Sequence, residues 1–319
     1  MQHYDAIILG AGAAGLMAAA TAGQRGRRVL VVDHAEAPGK KILISGGGRC
    51  NFTNSGTTPD RFLSANPHFA KSALGRYTPA DFLALVEAHG IAWHEKTLGQ
   101  LFCDGSARQI IEMLLDECDR ATRSGGLVDI ALGKPVDGVT HDGNAFRVER
   151  SGTAFTAPRL IVATGGPSIP KMGATGYAYD LARQFGLKVI EPRPALVPLT
   201  LGGEETLFRS LSGVASDVVA RSGKTRFREA ALFTHRGLSG PAILQVSSYW
   251  RPSGRHREPA PGARWRKSCP TGWPKRWLSG WPCPPNWGSR PTRCWRQRRR
   301  SWPTGPSTPM AARVMPRPR

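Results

Sequence analysis

The sequence predicts an α/β fold built on a parallel sheet. Within residues 4–33, a short apolar run, a glycine-rich turn, an alanine-rich helix and a second apolar run follow one another. A third apolar run, at residues 159–166, also ends in glycines. Strands that alternate with helices in this way form βαβ units, in which successive strands lie parallel in one buried sheet.

The first βαβ unit has strands at residues 4–9 and 27–33 and a helix at residues 16–26. Each strand is a continuous apolar run, which is typical of a strand covered on both faces. The glycine-rich turn between the first strand and the helix is short, so the two elements are predicted to pack directly against each other.

Further helices are predicted from their ends and from their apolar spacing. Residues 78–90 have Thr78 as a suitable N-cap, a proline in the first turn and a glycine past the end. Residues 106–121 are amphipathic, with Ser106 as the candidate cap. The next helix is predicted at residues 176–186.

A small antiparallel meander is predicted after residue 126, because apolar and polar residues alternate there. Its turns are expected at residues 141–143 and 151–152, and its segments at residues 127–133, 135–143 and 145–150. Beyond it, β-like segments predict a second domain at residues 191–250.

Residues 251–319 differ in composition from the rest of the chain. They hold 17 Lys and Arg against one acidic residue, 14 of the 26 prolines and seven of the nine tryptophans. Leu278 and Val314 are the only Leu, Ile, Val or Phe residues there, far below the roughly 20% at which a core becomes plausible. Residues 1–250 hold 27 basic and 22 acidic residues, so most of the net charge of +21 lies in this tail.

Three explanations for the tail compete. The first is a disordered basic extension. The second is a nucleic-acid-binding arm, in which Arg contacts phosphates and Trp stacks on bases. The third is the product of a shifted reading frame. We favour the shifted frame, because disordered segments are usually poor in tryptophan. In addition, one permitted codon choice turns residues 301–319 into a peptide of ordinary composition. The predicted third region, 251–319, is therefore a non-native, disordered tail.

Composition also excludes several classes of protein. No run approaches the roughly 18 apolar residues of a membrane span, and the N-terminus lacks the pattern of a secretion signal. Six cysteines in 319 residues do not resemble a disulfide framework. We therefore expect a cytoplasmic protein without a membrane partner, and no metal site is predicted.

Gly10, Gly12 and Gly15 form the pattern G-x-G-x-x-G between the first strand and the first helix. In this context the first glycine permits a tight turn, the second a close approach to a pyrophosphate, and the third close packing of helix on strand. The N–H groups of Ala13 and Ala14 stand at the helix N-terminus, which favours an anion. The sequence thus predicts a dinucleotide site.

Asp33 ends the second strand, 23 residues after Gly10. A carboxylate at this point of a βαβ unit accepts hydrogen bonds from the ribose hydroxyls of an adenosine. Because it also disfavours a 2′-phosphate, the pattern indicates FAD or NAD rather than NADP.

Residues 45–54, SGGGRCNFTN, are predicted to cross the front of the nucleotide. Three glycines expose backbone N–H groups to the diphosphate and the ring, the arginine offers charge-assisted hydrogen bonds, and the asparagines offer neutral ones. A flexible surface loop is the alternative, and Cys50 is predicted to pack rather than to act in redox chemistry. The predicted cofactor-binding residues here are Lys41, Gly46, Gly47, Gly48, Arg49, Asn51 and Asn54.

A second candidate turn follows the strand at residues 160–164. Thr164, Gly165 and Gly166 end that strand and again permit close approach of the backbone to a ligand. Val136, placed on the predicted meander, is the candidate for a backbone contact with an adenine edge.

The chain resembles the bacterial NAD(P)/FAD-dependent oxidoreductases that include the aminoacetone-oxidase-like flavoproteins. The resemblance covers about residues 3–250 and rests on GAGAAGLMAA, GKKILISGGGRCNFTN, LIVATGGPSIPKMGATGYAYDLARQFG, PALVPL and LFTHRGLSGPAIL. It implies an FAD-binding Rossmann-like domain at residues 1–190 and the start of an inserted β-rich substrate domain at residues 191–250. It also implies a chain that returns at its C-terminus to complete the flavin site, where this sequence no longer matches.

The resemblance implies an FAD-dependent oxidoreductase in which the flavin performs hydride transfer. NAD(P)H is the candidate electron donor and a small organic molecule the expected substrate, whereas nucleic acid is disfavoured as a partner. His235, on a glycine-flanked loop with Ser239, is the candidate acid or base, although a structural role is favoured for it. The oligomeric state is not predicted.

Two alternatives belong to other classes. One is a basic nucleic-acid-binding protein that uses the Arg- and Trp-rich tail. The other is a non-functional frameshift product with an incomplete flavin site. Within the flavin class, a tRNA-modifying flavoenzyme is a further alternative.

Overall fold

A computed structural model describes residues 2–200 and 210–249. The chain divides into two compact units, Met1–Glu191 and Pro192–Arg319. The predictions of a disordered tail and a shifted frame fall on residues 251–319, outside the described residues. Within the described ranges, no helix has the length and apolar character needed to cross a membrane.

The first unit alternates strands and helices along the chain. In order, its elements are β1 (Gln2–His3), β2 (Ala6–Leu9), α1 (Ala13–Gly23), β3 (Arg28–Val32), α2 (Lys40–Ile44), β4 (Asn51–Asn54), α3 (Lys71–Arg76), α4 (Pro79–Ala88), β5 (Trp93–Glu95), β6 (Gln100–Cys103), α5 (Arg108–Asp119), β7 (Leu127–Ala131), β8 (Gly138–His141), β9 (Phe146–Arg150), β10 (Thr153–Ala157), β11 (Leu160–Val162) and α6 (Tyr177–Gln184).

A four-stranded parallel sheet with the order β11-β2-β3-β7 forms the centre of this unit. Its two middle strands are buried on both faces, which explains their continuous apolar sequence. Ile8 and Val31 face the cluster that contains α1 and α5. Ile7 and Leu30 point to the opposite face, which the β8–β10 meander and α6 cover. The predicted α/β fold with a parallel sheet and a small meander is confirmed.

The meander differs from the prediction in one strand. It consists of β8, β9 and β10 paired antiparallel, with β1 added parallel at its edge. The segment at residues 127–131, predicted to start the meander, is instead the parallel edge strand β7. An edge strand is half-buried, so its sequence alternates like that of an antiparallel strand. The predicted turn at Ser151 and Gly152 is confirmed, with positive φ at both residues.

Of the two predicted helix N-caps, Thr78 is observed and Ser106 is not. The Thr78 side chain accepts a hydrogen bond from the backbone of Asp81, whose carboxylate accepts one from the Thr78 backbone, so α4 begins with a capping box. In α5 the N-cap position belongs to Ala107, and Ser106 lies one residue earlier. The Ser106 Oγ accepts a hydrogen bond from the Arg108 N–H at 3.2 Å.

A small antiparallel sheet with the order β4-β6-β5 carries the glycine-rich segment of the first unit. Its strand β4 follows residues 45–50 directly. The β4–β6 pairing slips between Asn51 and Thr53, which marks a bulge.

The described part of the second unit is a separate antiparallel sheet with the order β12-β15-β14-β13. A helix packs on it, and Ala220, Ala231 and Ile243 lie in the shared core. Its elements are β12 (Leu199–Thr200), β13 (Ala215–Ser222), β14 (Thr225–Thr234), β15 (Gly237–Ser239) and α7 (Pro241–Ser247).

Candidate functional site

The bend between β2 and α1 is tightly packed at two of its three glycines. A Cβ atom at Gly10 would lie 2.5 Å from the carbonyl oxygen of Ala163, and a Cβ at Gly15 would overlap the carbonyl oxygen of Gly10. At Gly12, by contrast, no atom of the described residues lies within 4 Å of the Cβ position. The bend therefore fits closely against the protein at two positions and faces open space at the third.

The start of α1 offers free backbone donors at this open face. The helix begins at Ala13 with Gly12 as its N-cap, and no side chain caps it. Ala13 and Ala14 are exposed. Helix N-termini with unpaired N–H groups attract anions.

The carboxylate of Asp33 lies at the same bend. One oxygen accepts a hydrogen bond from the Ala11 N–H at 2.7 Å, and the other accepts one from the Ala35 N–H at 2.8 Å. The side chain is 16% exposed, and the His34 Nδ1 atom lies 3.4 Å from it. Each carboxylate oxygen keeps a further lone pair for a ligand hydroxyl.

The triple-glycine segment has three successive residues in the left-handed region. The φ angles of Gly46, Gly47 and Gly48 are +57°, +67° and +88°. A Cβ at Gly46 would lie 2.6 Å from a ring carbon of Phe102, whereas the part of the chain that the structure describes has no atom within 4 Å of the Cβ position of Gly47. Successive backbone N–H groups at such turns form concave anion-binding nests.

The polar residues after the glycines differ in how the protein uses them. Arg49 and Asn51 are exposed, and no side-chain hydrogen bond is recorded for either among the described residues. The Asn54 side chain, by contrast, donates to the Leu98 carbonyl at 2.8 Å and accepts from the Gly56 N–H at 2.8 Å. Asn54 therefore holds a turn of the small sheet, a role that the sequence analysis did not predict.

The turn after β11 lies beside the first bend and contains an unsatisfied buried group. The hydroxyl of Thr164 is buried and has no hydrogen-bond partner among residues 2–200 and 210–249. The backbone of this turn approaches the first bend, since the Thr164 Cα would lie 3.0 Å from a Cβ at Gly10. A buried hydroxyl without a partner costs about 1–3 kcal/mol, so it points to a bound group that would complete it.

Lys41 connects α2 to the same turn. Its Nζ atom lies 3.1 Å from the Ser168 Oγ and 3.5 Å from the Gly166 carbonyl oxygen. Ser168 was not predicted as a site residue, although it lies two residues after Gly166. Gly165 has a φ of +74°, so the turn needs a glycine there.

Val136 and His235 belong to other segments of the sequence than these turns. Val136 is half-buried in the connection between β7 and β8, so its predicted place on the meander is wrong. Its backbone N–H and C=O have no hydrogen bond recorded within residues 2–200 and 210–249. His235 is exposed in the two-residue turn between β14 and β15, in the second unit.

The cysteines of the described residues are buried thiols. Burial raises the pKa of Cys50, and it raises the pKa values of Cys103 and Cys118 to about 11. Protonated thiols are poor nucleophiles, which fits the predicted packing role of Cys50. In the part of the chain that the structure describes, no group of His, Cys, Asp or Glu side chains is placed to hold a metal ion.

The bend between β2 and α1, the turn after β11 and Asp33 meet at the carboxyl ends of parallel strands, where open α/β sheets bind their ligands. Together with the free start of α1, they define the class of dinucleotide-binding Rossmann domains. The profile of the HI0933-like protein Rossmann domain matches residues 4–235. The chain belongs to this HI0933-like family of FAD-dependent oxidoreductases, so the predicted resemblance is confirmed.

Three of the relatives that match this chain show what it is similar to. The ribosomal RNA dihydrouridine synthase of Escherichia coli K12 is 54% identical over 256 residues, covering 79% of this chain and 62% of the relative. That of Haemophilus influenzae is 48% identical, covering 79% and 63%. The 3-dehydro-bile acid delta(4,6)-reductase of Clostridium scindens is 30% identical, covering 76% and 59%. The chain thus spans about three-fifths of the length of these relatives.

Solved structures with a similar fold are more distant. A 3-ketosteroid-delta4-(5alpha)-dehydrogenase from Rhodococcus jostii RHA1 aligns with a TM-score of 0.40 at 15% identity, covering 52% of this chain and 46% of that one. The halogenase PltM, solved with phloroglucinol and FAD, aligns with a TM-score of 0.33 at 20% identity, covering 59% and 37%.

The predicted partners are wrong. A small-molecule substrate was expected and nucleic acid was disfavoured, yet the relatives at 54% and 48% identity are named for action on ribosomal RNA. The sequence offered nucleic acid as a partner through the basic tail and through a tRNA-modifying flavoenzyme, and neither alternative was favoured. The nucleotide-binding motifs of the first unit carry no information about what the flavin reduces.

Proposed function

We propose that this chain derives from an FAD-dependent enzyme that reduces uridine in ribosomal RNA. The observation that carries the proposal is the 54% identity to a ribosomal RNA dihydrouridine synthase over 256 residues. The family match at residues 4–235 includes every residue of the proposed cofactor site. NAD(P)H is the proposed electron donor. A cytoplasmic location follows from this substrate and stays part of the proposal.

The fit of FAD to the described residues supports the proposal. The unpartnered Thr164 hydroxyl, the open face at Gly12 and the left-handed Gly47 are each left unexplained by contacts within the protein. A dinucleotide offers phosphates to N–H groups, hydroxyls to a carboxylate and ring edges to backbone amides, which are the kinds of group found at these turns.

We assign the cofactor contacts by chemistry. Asp33 would accept from ribose hydroxyls, and Val136 would offer its free backbone groups to the adenine edge. The α1 start at Gly12, Ala13 and Ala14 would hold the pyrophosphate. Asn54 would support the turn beside the flavin. The residues proposed to contact the flavin side of FAD are Lys41, Gly46, Gly47, Gly48, Arg49, Asn51, Thr164, Gly165 and Gly166. Bound FAD would supply hydride transfer, while the protein positions it and tunes its ring.

The second unit is proposed to begin the substrate domain at residues 191–250. His235 remains the candidate acid or base, since its exposed position in a hairpin turn leaves its ring free for a substrate. Residues 251–319 are proposed to be non-native, because their composition cannot form a core. This chain is accordingly expected to have weaker FAD binding and less activity than its restored-frame counterpart.

The test uses unmodified ribosomal RNA, FAD and NADPH or NADH. Nucleoside digests are analysed by mass spectrometry for uridine that has gained two hydrogens, with this chain, a restored-frame chain and an Asp33→Ala variant of each. The proposal expects dihydrouridine from the restored-frame chain and a loss of it in its Asp33→Ala variant. A restored-frame chain that binds FAD and oxidises NADPH but leaves uridine intact would overturn the substrate assignment.

A non-functional frameshift product is the second candidate for this particular chain, and the composition of residues 251–319 favours it. The gene sequence is the direct test. A neighbouring frame with a long open continuation supports it, and the absence of one removes it.

A further inference from the structure

One exposed segment of the first unit combines aromatic rings with basic side chains. Residues 61–77 hold three aromatic residues, three Lys and Arg and one histidine, and no acidic residue. We propose that this aromatic–basic segment binds unpaired regions of ribosomal RNA. The inference deepens the proposed function, on which it rests, by naming the surface that the substrate contacts.

The aromatic side chains of this segment are unusually open to solvent. Phe69 is 71% exposed, Phe62 is 46% exposed and Tyr77 is 40% exposed. Every residue from 61 to 69 is exposed, and buried Ala70 ends the run. Several large apolar groups on one exposed stretch mark an interaction surface rather than scattered surface residues.

The basic side chains of the segment are available for an anionic partner. Lys71 and Arg76 are exposed, and no ion pair is recorded for either in the described part of the chain. Arg61 lies 3.7 Å from Asp60, but both side chains are at least 70% exposed, so water and salt screen this pair. Positive charge without nearby acids is complementary to phosphate.

The segment is held in a defined conformation although it is exposed. The Asn66 carbonyl accepts from the Phe69 N–H at 3.2 Å, and the Asn66 side chain accepts from the His68 N–H at 3.0 Å. Short helix α3 follows, and α4 begins at the Thr78 cap. Such local order lowers the entropy that a flexible loop would lose on binding.

Unpaired RNA is the partner that uses both features at once. Aromatic faces stack on splayed-out bases, and cations follow the phosphates of the same strand. In an RNA duplex the bases are already stacked, so the exposed rings would gain little. A protein partner or a second copy of this chain would use the rings but has no general need for three cations.

Binding is measured by fluorescence anisotropy with the full chain and a labelled single-stranded RNA that contains uridine. The Phe62→Ser/Phe69→Ser variant is compared with Leu187→Ser, which removes an aliphatic side chain that is 64% exposed elsewhere in the first unit. Loss of two stacking rings is expected to raise Kd about tenfold or more, with no more than about a twofold change for Leu187→Ser. A duplex of the same sequence should distinguish the two variants much less.

The charge contribution is separated by salt dependence. Arg61→Ala/Lys71→Ala/Arg76→Ala should reduce the slope of log Kd against log salt by about 2, since each phosphate contact on a single strand contributes about 0.7. The phenylalanine variant should leave the slope unchanged. The matched control replaces three exposed basic residues outside the segment, in Arg25→Ala/Arg27→Ala/Arg123→Ala, and should also leave it unchanged.

Crosslinking distinguishes this surface from the basic tail without removing any part of the chain. RNA that carries 4-thiouridine is irradiated with the full chain, and tryptic peptides are mapped. The proposal expects crosslinks on the peptide of residues 62–71. Crosslinks confined to other peptides, or equal RNA affinity of the phenylalanine variant and Leu187→Ser, would overturn it. So would self-association that the phenylalanine variant abolishes while RNA affinity stays the same.

The binding assays need no turnover, so the two proposals fail separately. RNA binding that depends on this segment, without formation of dihydrouridine, would overturn the reaction and keep the surface. Dihydrouridine formation that the phenylalanine variant leaves unchanged, together with unchanged RNA affinity, would overturn the surface and keep the reaction.

Discussion

The two glycine-rich turns of the first unit use glycine for different reasons. At Gly10 and Gly15, a side chain would collide with neighbouring backbone, so the protein's own packing requires glycine. At Gly12 and Gly47, no atom from residues 2–200 or 210–249 lies within 4 Å of the Cβ position. The packing of the fold explains the first pair, whereas the second pair would allow the close approach of the cofactor that we propose for these turns.

The largest effect is expected at the packed position Gly15. Its Cβ in Gly15→Ala would overlap the Gly10 carbonyl oxygen, so the bend or the start of α1 must move. We expect a loss of about 3 kcal/mol in the free energy of unfolding, measured by urea denaturation. Gly12→Ala is the matched control and should change stability by less than about 0.5 kcal/mol while weakening FAD binding. Similar stability losses in both variants would abolish the distinction between the two kinds of glycine.

Gly125 is a matched control position for the open position Gly47. Both have left-handed φ angles, +67° and +71°, and neither has a protein atom within 4 Å of its Cβ position. Alanine at either position should therefore cost about 1 kcal/mol in the free energy of unfolding. Only Gly47→Ala should also weaken FAD binding, as measured by titration of flavin fluorescence. An equal loss of FAD affinity in Gly125→Ala would attribute the effect to general destabilisation.

The Thr164 hydroxyl tests the same comparison through apo stability and FAD affinity. Thr164→Val removes a buried group that has no partner, so the apo chain should be unchanged or more stable by up to about 1 kcal/mol. FAD affinity should fall about fivefold, the equivalent of about 1 kcal/mol for one hydrogen bond. Thr156→Val is the control, because its hydroxyl is already hydrogen-bonded to His3 at 2.7 Å. A lower apo stability in Thr164→Val would show that the protein itself satisfies the hydroxyl.

The smallest predicted effect is on the pH dependence of stability, and it comes from Glu117, which belongs to neither turn. Burial would raise the pKa of Glu117, but hydrogen bonds from His89 and Gln24 and the charge of Arg120 outweigh it, so the pKa falls below its ordinary value of 4.5. A lowered folded pKa contributes stability above the unfolded pKa, and this contribution is lost as the pH falls through the folded pKa.

Unfolding free energies measured from about pH 6 to pH 3 should therefore decline less steeply in Glu117→Gln than in the unchanged chain. FAD affinity near neutral pH should be the same in both, since Glu117 contacts neither turn. Parallel pH profiles would remove Glu117 as the source of acid sensitivity.

Local patterns predicted the centre of the fold well. The βαβ unit, the Thr78 cap and the turn at Ser151 depend on residues close together in sequence, where propensity and hydrogen bonding act directly. The strand β7 was misplaced because its half-buried edge position, which tertiary packing determines, has the same alternation as a meander strand.

The candidate site was predicted in outline but not in its internal contacts. The motif spacing identified the turns and Asp33, because only small residues and one carboxylate suit those positions. It gave no sign that Lys41 reaches Ser168 or that Asn54 holds the turn at Leu98, since these partners lie far apart in sequence. These turns gave no sign of the ribosomal RNA for which two relatives are named, since a dinucleotide-binding motif does not depend on the substrate.

The most direct test of the central claim is an FAD titration of thermal unfolding, with the chain and its Asp33→Asn and Gly12→Ala variants. The account predicts that FAD raises the unfolding midpoint of the unchanged chain in a saturable way, because a ligand that binds only the folded state stabilises it. Both variants should need much more FAD for the same shift, although Gly12→Ala is expected to differ from the unchanged chain by less than about 0.5 kcal/mol in unfolding free energy without FAD. No shift at any FAD concentration, in this chain and in its restored-frame counterpart alike, would contradict the assignment of these turns as the cofactor site.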